Sequence, residues 1–271
     1  MSAKDLVVKG ISATQARDFV RRYHYSGKVD TRSALHLGVF WEGKLEGVLQ
    51  FGASIDKAKT QPLVRDTSWN GFIELHRLAF SDKLPKNSES RAISVALKMI
   101  KKNAPHIEWI LSYADGTQCG DGTIYRASGF DLIKITPNRS MWRMPDGQVI
   151  CKIVLEPGFS PGSTNVNSVK ARYGKTGSET SNRFLNRIGA ECLGGYQLKY
   201  IYFLNPAARE RLTVPTLPFS EIAKQGASMY KGISGRSISS NASDFRSEEG
   251  GATPTLLLQT SGVDLADTKP L

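Results

Sequence analysis

The stretch "ELHRLAFSDKLPKNSESRAISVALKMIKK" (residues 74–102), continued by "IEWILSYADGTQCGDGTIYRASGF" (residues 107–130), decides the fold. In residues 88–102, Ile93, Ala96, Leu97 and Ile100 recur at helical spacing and form one apolar face. Ser88 stands where a cap belongs, and Lys98, Lys101 and Lys102 suit the negative end of the helix dipole. The run "GFIELHRLAF" ahead of the helix reads as a strand, and "IEWILSYAD" behind it as a buried one. "GTIYRAS" is a short helix stopped by Gly129. Upstream, "ALHLGVFWEGKLEGVLQFGAS" alternates apolar residues on both sides of Glu42-Gly43-Lys44 and predicts a hairpin, preceded by a helix over Thr14 to Arg22. The order β-β, β-α, β-α-β describes an α/β domain with a mixed sheet.

Past Asp131 the pattern loosens. "NRSMWRMPDGQVICKIVL" predicts a second hairpin turning at Pro145-Asp146-Gly147, residues 166–190 suggest helical pieces, and "YQLKYIYFL" is a strong strand. Residues 137–199 hold nine basic and four acidic residues, with Trp142, Phe159, Tyr173, Phe184 and Tyr196 interleaved. From Lys231 onward the chain is Ser/Gly-rich, with four basic and five acidic residues, and reads as a flexible tail. The whole chain of 271 residues carries 36 Lys plus Arg against 25 Asp plus Glu, a net +11, so residues 1–230 carry +12. A hydrophobic fraction of 40% supports a real core. No apolar run approaches a bilayer span and the N-terminus shows no signal region, so the expected location is the cytoplasm, without membrane contact. Cys119, Cys151 and Cys192 form no CxxC pair, which argues against a disulfide framework or a Cys-based zinc site. The basic balance suits nucleic acid or an anionic cofactor, or solubility alone.

Four places could carry chemistry. The join "FSDKLPKNSESRA" presents orphan helix N–H groups with Lys83, Lys86, Ser88, Ser90 and Arg91, either a phosphate cradle or an ordinary capped helix; it lacks the glycines of a P-loop. Asp115 ends a buried strand ahead of a Gly-rich turn and Tyr125, in position for a ligand or merely capping the turn. "RRYHYSGK" (21–28) offers His24 and Tyr25, which with Asp115 supply N and O donors for a metal such as iron, or form a polar helix end. Glu74 and His76 share one face of their strand, with Arg77 turned the other way, and are a general base or a paired couple.

Together, "LPKNSESR", "SYAD…GTIYRASGF", "YHYSGK" and "YIYFLNPAARERLTVPTLPFSEI" occur in an order and spacing that resembles the Mom DNA-modification family of Mu-like bacteriophages, over roughly residues 15–230. The resemblance implies a GNAT-like acyltransferase fold of the α/β (α+β) class: a mixed, mostly antiparallel central sheet flanked by helices. A basic insertion (137–199) would precede the last core strand, within a catalytic domain of residues 1–230, and the tail would span 231–271. It implies conversion of adenine in double-stranded DNA to N6-carbamoylmethyladenine, which protects phage DNA from host restriction. It implies acetyl-CoA as donor, contacted by Arg77, Lys86, Asn87, Ser88, Ser90 and Tyr125, and His24, Tyr25 and Asp115 as iron ligands or catalytic residues, with Tyr125 also catalytic. Acyl transfer alone would leave N-acetyladenine, whereas the family's product joins N6 to a methylene carbon; this favours a redox-active metal. Base flipping is expected, with phosphates held by the 137–199 segment and by Arg21, Arg22 and Lys28. The rival readings are an ordinary N-acetyltransferase for a protein or small-molecule amine, and a non-catalytic basic DNA-binding protein. Oligomeric state is open, a dimer included.

Overall fold

The computed structural model describes residues 2–117, 120–156, 169–230 and 233–234. Its centre is a seven-stranded sheet. Strands β1 (Val7–Gly10), β2 (Ser33–Trp41), β3 (Lys44–Gly52), β4 (Phe72–Phe80), β5 (Trp109–Asp115) and β6 (Asp131–Pro137) are joined by β10 (Tyr196–Phe203) in the order β1-β2-β3-β4-β5-β10-β6. All neighbours run antiparallel except β4 and β5, which are parallel. The fold is therefore mixed α/β with a mostly antiparallel sheet, as the resemblance implies. The β2–β3 hairpin turns through Glu42 and Gly43, both at positive φ (50° and 77°), the turn whose twist matches the flanking strands. The short β1 is an addition to the expected elements; four residues are too few for a periodic signal.

Helix α1 (Ala13–Tyr23) and helix α3 (Ser88–Asn103) cover opposite faces, and the one-turn α2 (Lys57–Thr60) lies between β3 and β4. The α3 face holds the larger core, in which Ala92, Ile93, Ala96, Leu97 and Ile100 meet Leu49, Phe51, Leu75, Ile110 and Leu198. Short α4 (Thr123–Ala127) adds Tyr125 to it. On the opposite face, Ala16, Phe19 and Val20 of α1 pack on Val48 and Ala79. Farther along, Phe72 stacks on Trp109 with ring centroids 4.3 Å apart, beside Leu111 and Ile201. The α1-face cores thus leave the middle of that face to polar side chains. The α3 start differs from expectation. Ser88 is the first helical residue, and Asn87 holds the cap position in the left-handed region at φ 70°.

Between β6 and β10 the chain builds a small unit of its own. Its sheet has the order β8 (Val149–Cys151), β7 (Met141–Arg143), β9 (Glu191–Cys192), and helix α5 (Ser181–Arg187) packs Phe184 and Leu185 against Trp142, Met144, Ile150 and Leu155. Asn138 N–H donates to the Gly195 carbonyl (2.7 Å) and closes the neck of this unit, and Asn138 Nδ2 donates to Thr117 Oγ1 (3.2 Å) and ties the neck to the turn after β5. Tyr196 and Lys199, counted with the insertion in the sequence, belong to β10. Phe159 and the 231–271 tail, apart from 233–234, lie outside the described residues.

Gly122 carries the tightest demand on residue type. It sits at φ 80° and a Cβ there would lie 2.5 Å from the Tyr200 ring. Gly122→Ala should cost roughly 2–4 kcal/mol in urea unfolding, whereas Gly147→Ala, at φ 82° but in open space, should cost only about 1 kcal/mol.

Candidate active site

Two irregularities of β4 create the site. Its pairing with β5 covers Phe72–Leu75 against Trp109–Ser112, while β4 continues to Phe80 and β5 to Asp115, so the two strands part beyond Leu75 and Ser112. Toward β3 the register shifts. Gln50 opposes Arg77 and Phe51 opposes Leu75, so His76 is an extra residue. Such a bulge places two consecutive side chains on one side of the strand. Glu74, His76 and Arg77 therefore all face the α1 side, which corrects the alternating reading that sent Arg77 to the other face.

On that side the polar groups interlock. His76 lies over Gly52, where a Cβ would come within 2.8 Å of its ring. Its Nε2–H donates to the Ala53 carbonyl (3.0 Å) and its Nδ1 accepts from the Ser33 hydroxyl (2.9 Å), so the ring is used at both nitrogens. Burial keeps it neutral by lowering its pKa, although Asp30 opposes this. Asp30 forms an ion pair with Arg32. Glu74, only 9% exposed, bonds the Ser54 hydroxyl, and burial raises its pKa. Tyr113 and Lys199 stand close enough to feel the Glu74 charge, with the Lys199 ammonium 5.3 Å from the Tyr113 ring centre.

Arg77 reaches sideways. Its Nε donates to the Lys28 carbonyl (2.9 Å), which fastens the 24–28 loop to β4. The His24 and Tyr25 rings are tilted by 32° with centroids 4.3 Å apart, and His24 Nδ1 accepts from the Ser26 backbone N–H (3.2 Å) and hydroxyl (2.8 Å). Burial, aided by the Arg77 charge, lowers its pKa to about 4, so the imidazole is neutral with its proton on Nε2. Cys151 of the small unit lies near enough to influence Lys28, so that unit borders the site.

The opposite face holds the other predicted residues. Lys86 and Asn87 lead into α3, whose first N–H groups have no intrahelical partner. Ser88 donates its hydroxyl to the Pro85 carbonyl (2.6 Å) and Ser90 to Asn87 (3.2 Å), so both hydroxyls shape the loop. Tyr125 is buried between Tyr200 and Phe130. Where β4 and β5 part, the Ser112 hydroxyl is fully buried without a hydrogen-bond partner, a costly state unless a ligand supplies one. Arg77 is not on this face with Lys86, Ser88 and Ser90.

The iron expectation finds no support. Among the described residues no group of three or more His, Cys, Asp or Glu side chains could hold a metal ion. His24 spends its Nδ1 lone pair on Ser26 and lies beside the Arg77 cation, and Asp115 Oδ1 accepts from Thr117 N–H (2.9 Å), closing the turn. The donors do not fit a metal centre, and no step below uses one. The basic segment also changes character. Arg143, Arg172 and Arg187 are paired with Glu191, Asp146 and Glu179, and Trp142 and Phe184 are buried in the unit's core.

A family model described as the Mom protein family matches residues 5–221. The methylcarbamoylase Mom of Escherichia phage Mu is 37% identical over 211 residues, covering 78% of this chain and 80% of that protein. This chain belongs to the Mom protein family. Among solved structures, a Bacillus subtilis acetyltransferase in complex with CoA overlaps this chain at TM-score 0.40 with 11% identity, covering 73% of this chain and 99% of that one. A GNAT family acetyltransferase from Elizabethkingia anophelis with acetyl-CoA bound overlaps at 0.38 with 11% identity, over 73% and 98%.

The sequence does not connect Asp30, Arg32, Ser54, Tyr113 and Lys199, the last counted only with the basic segment, because four separate segments deliver them and no spacing rule joins these. His24 gives a test of the local electrostatics. Its folded pKa of about 4 lies below the unfolded value of 6.5, so the stability it contributes is complete above pH 6.5 and is lost as pH falls toward 4. His24→Gln should therefore lose roughly 2 kcal/mol less than the parent between pH 7 and pH 4.5, measured by urea unfolding at both pH values.

Proposed function

We propose that this chain is a DNA-modifying transferase that takes its donor group from acetyl-CoA and converts adenine in double-stranded DNA to N6-carbamoylmethyladenine, shielding phage DNA from host restriction. The observation that carries the reading is the parted β4–β5 pair, open to a helix N-terminus on one face and to a closed polar cluster on the other. The kinship with the phage Mu methylcarbamoylase supports the choice of reaction.

On the donor side, the α3 N–H groups with Lys83, Lys86 and Arg91 would hold a pyrophosphate, because helix N-termini favour anions. The arm of the cofactor would pass between the parted strands, where an amide could satisfy the Ser112 hydroxyl. Acetyl-CoA supplies the two-carbon unit. Making the N6–CH₂ bond from its methyl carbon takes a two-electron oxidant, and making the terminal amide takes an ammonia-level nitrogen that displaces coenzyme A as the thiol. On the acceptor side lie Glu74, Tyr113 and Lys199, with Arg77 holding the 24–28 loop as a wall. A paired adenine hides its N6, so the base must leave the stack to reach this face. Arg139, Lys152, Lys170 and Arg183 of the small unit, left over once its three ion pairs are formed, would meet phosphates.

Mass spectrometry of nucleosides from DNA of cells expressing the chain should reveal an adenine derivative of the carbamoylmethyl mass. Unmodified adenine beside abundant folded protein would overturn the reading, and N-acetyladenine would replace it with ordinary acyl transfer. Lys86→Ala and Ser90→Ala should each weaken coenzyme A binding in calorimetry by roughly three- to tenfold, the loss of one hydrogen bond or ion contact. Arg139→Ala with Lys170→Ala should lower DNA affinity and flatten its salt dependence by up to about two counterions.

A further inference from the structure

Beyond Ser112 the sheet continues as its β5-β10-β6 half, whose register sets the side chains in cross-strand rows. Lys199 of β10 stands opposite Tyr113 of β5 on one side and opposite Lys134 of the edge strand β6 on the other. The next row, toward the small unit, is Asp115, Gln197 and Thr136. Both rows share a face with Ile201 and Phe203, which pack with Val64 and Leu212. Past Ile201 that face turns polar: Lys134, Thr136 and Gln197 are exposed, and Tyr113 and Lys199 are half-buried. Tyr113 follows directly on the last β5 residue paired with β4, so this row begins at the opening between the two strands.

Two lysines directly opposite one another repel, and like charges in that relation destabilise a sheet. Among the described residues neither closes an ion pair: Asp131 is taken by Arg209 (2.7 Å), and Asp115 accepts from the Thr117 N–H (2.9 Å). Burial, and after it the Lys134 charge, lower the Lys199 pKa, while Glu74 opposes them. A lysine on an edge strand is accounted for by the need to keep other sheets away. That reason covers Lys134 and leaves Lys199, on an interior strand, without one. Lys199 is also held in place, with its ammonium 5.3 Å from the Tyr113 ring centre. Two ammonium groups on neighbouring strands are complementary to a single anion, which replaces their repulsion by two charge-assisted hydrogen bonds.

Resting on the proposed function, we propose that Lys134 and Lys199 together clamp one backbone phosphate of the DNA strand that carries the target adenine, and so position that nucleotide at the opening between β4 and β5. Neighbouring strands lie ~5 Å apart, so the backbones of the two lysines stand one and two such steps to the side of Tyr113. A base and its own phosphate are joined through one sugar, and a phosphate held here leaves its base within reach of the opening. The clamp carries no sequence information and acts by fixing register and orientation. It lies on the face opposite the α3 N-terminus, apart from the site proposed for the cofactor's pyrophosphate.

The test uses the full chain and duplexes bearing a site mapped in DNA that the parent modifies in cells, each with one phosphate near the target replaced by an uncharged methylphosphonate. For the parent, one replacement beside the target adenine should weaken binding about five- to tenfold. In the double variant Lys134→Ala with Lys199→Met that replacement should change binding less than about twofold, whereas Arg139→Ala with Lys170→Ala should keep the parent's response. On a duplex of any sequence, the Lys134/Lys199 variant should flatten the salt dependence of binding by about two counterions. Its coenzyme A affinity in calorimetry should stay within about twofold of the parent's. Lys134→Ala alone truncates an exposed residue and removes a repulsive charge, so its urea midpoint should not fall, and it serves the same measurements, with about one counterion lost, if the double variant unfolds. An undiminished methylphosphonate effect, an unchanged salt slope, or a loss of coenzyme A affinity in place of DNA affinity overturns the clamp while the modification reading stands. Absence of modified adenine in cells expressing the parent overturns that reading, and the salt slope then decides the phosphate site by itself.

Discussion

The parting of β4 from β5 after the Leu75–Ser112 pair is the constraint from which the rest of the molecule follows. A parallel pair held over its first few residues and released afterwards leaves one buried hydroxyl there, that of Ser112, without a hydrogen-bond partner inside a well-packed core. The Phe72–Trp109 stack and the Trp109 Nε1–H bond to Thr67 (3.0 Å) hold the paired end closed, so the opening is confined to the other end. The bulge at His76 then turns Glu74, His76 and Arg77 to one side. A single irregular strand thus separates a face built around a helix N-terminus from a face built around a buried acid.

Charge is managed differently in the two parts of the chain. In the sheet's polar cluster, Asp30 with Arg32 and the neutral rings of His24 and His76 keep the interior close to electroneutral, which the cost of burying isolated charges demands. In the small unit between β6 and β10, three arginines are matched to three acids at the surface, where such pairs contribute little stability and are weakened by salt. What remains for a polyanion is a subset of the basic residues, and Lys199, counted among them by position, stands in the main sheet opposite Lys134.

Much of the architecture was legible. The helices over Ala13–Tyr23 and Ser88–Asn103 carry clear periodic faces, and the Glu42-Gly43 turn announces its hairpin. The β4–α3 and β5–α4 joins are legible as strand-loop-helix turns, each a ligand site or an ordinary helix start as far as the residue pattern goes. The polar cluster was only half seen. Glu74 and His76 stood out as types, but alternation misplaced Arg77, since a bulge leaves no mark in the residue pattern. The His24, Tyr25 and Asp115 donors looked alike in sequence, yet the His24 Nδ1 lone pair is taken up by Ser26 and Asp115 Oδ1 by the Thr117 N–H.

The sequence by itself determined the elements, their order and the family, because periodicity, turn chemistry and motif spacing are local properties of the chain. The tertiary structure alone decided where β4 and β5 part, which side Arg77 faces, and that Glu74 is buried beside Ser54, Tyr113 and Lys199. These depend on register and on residues brought together from distant segments. Hydrogen-bond direction and burial are set by neighbours in space, and no ordering of residues along the chain encodes them separately.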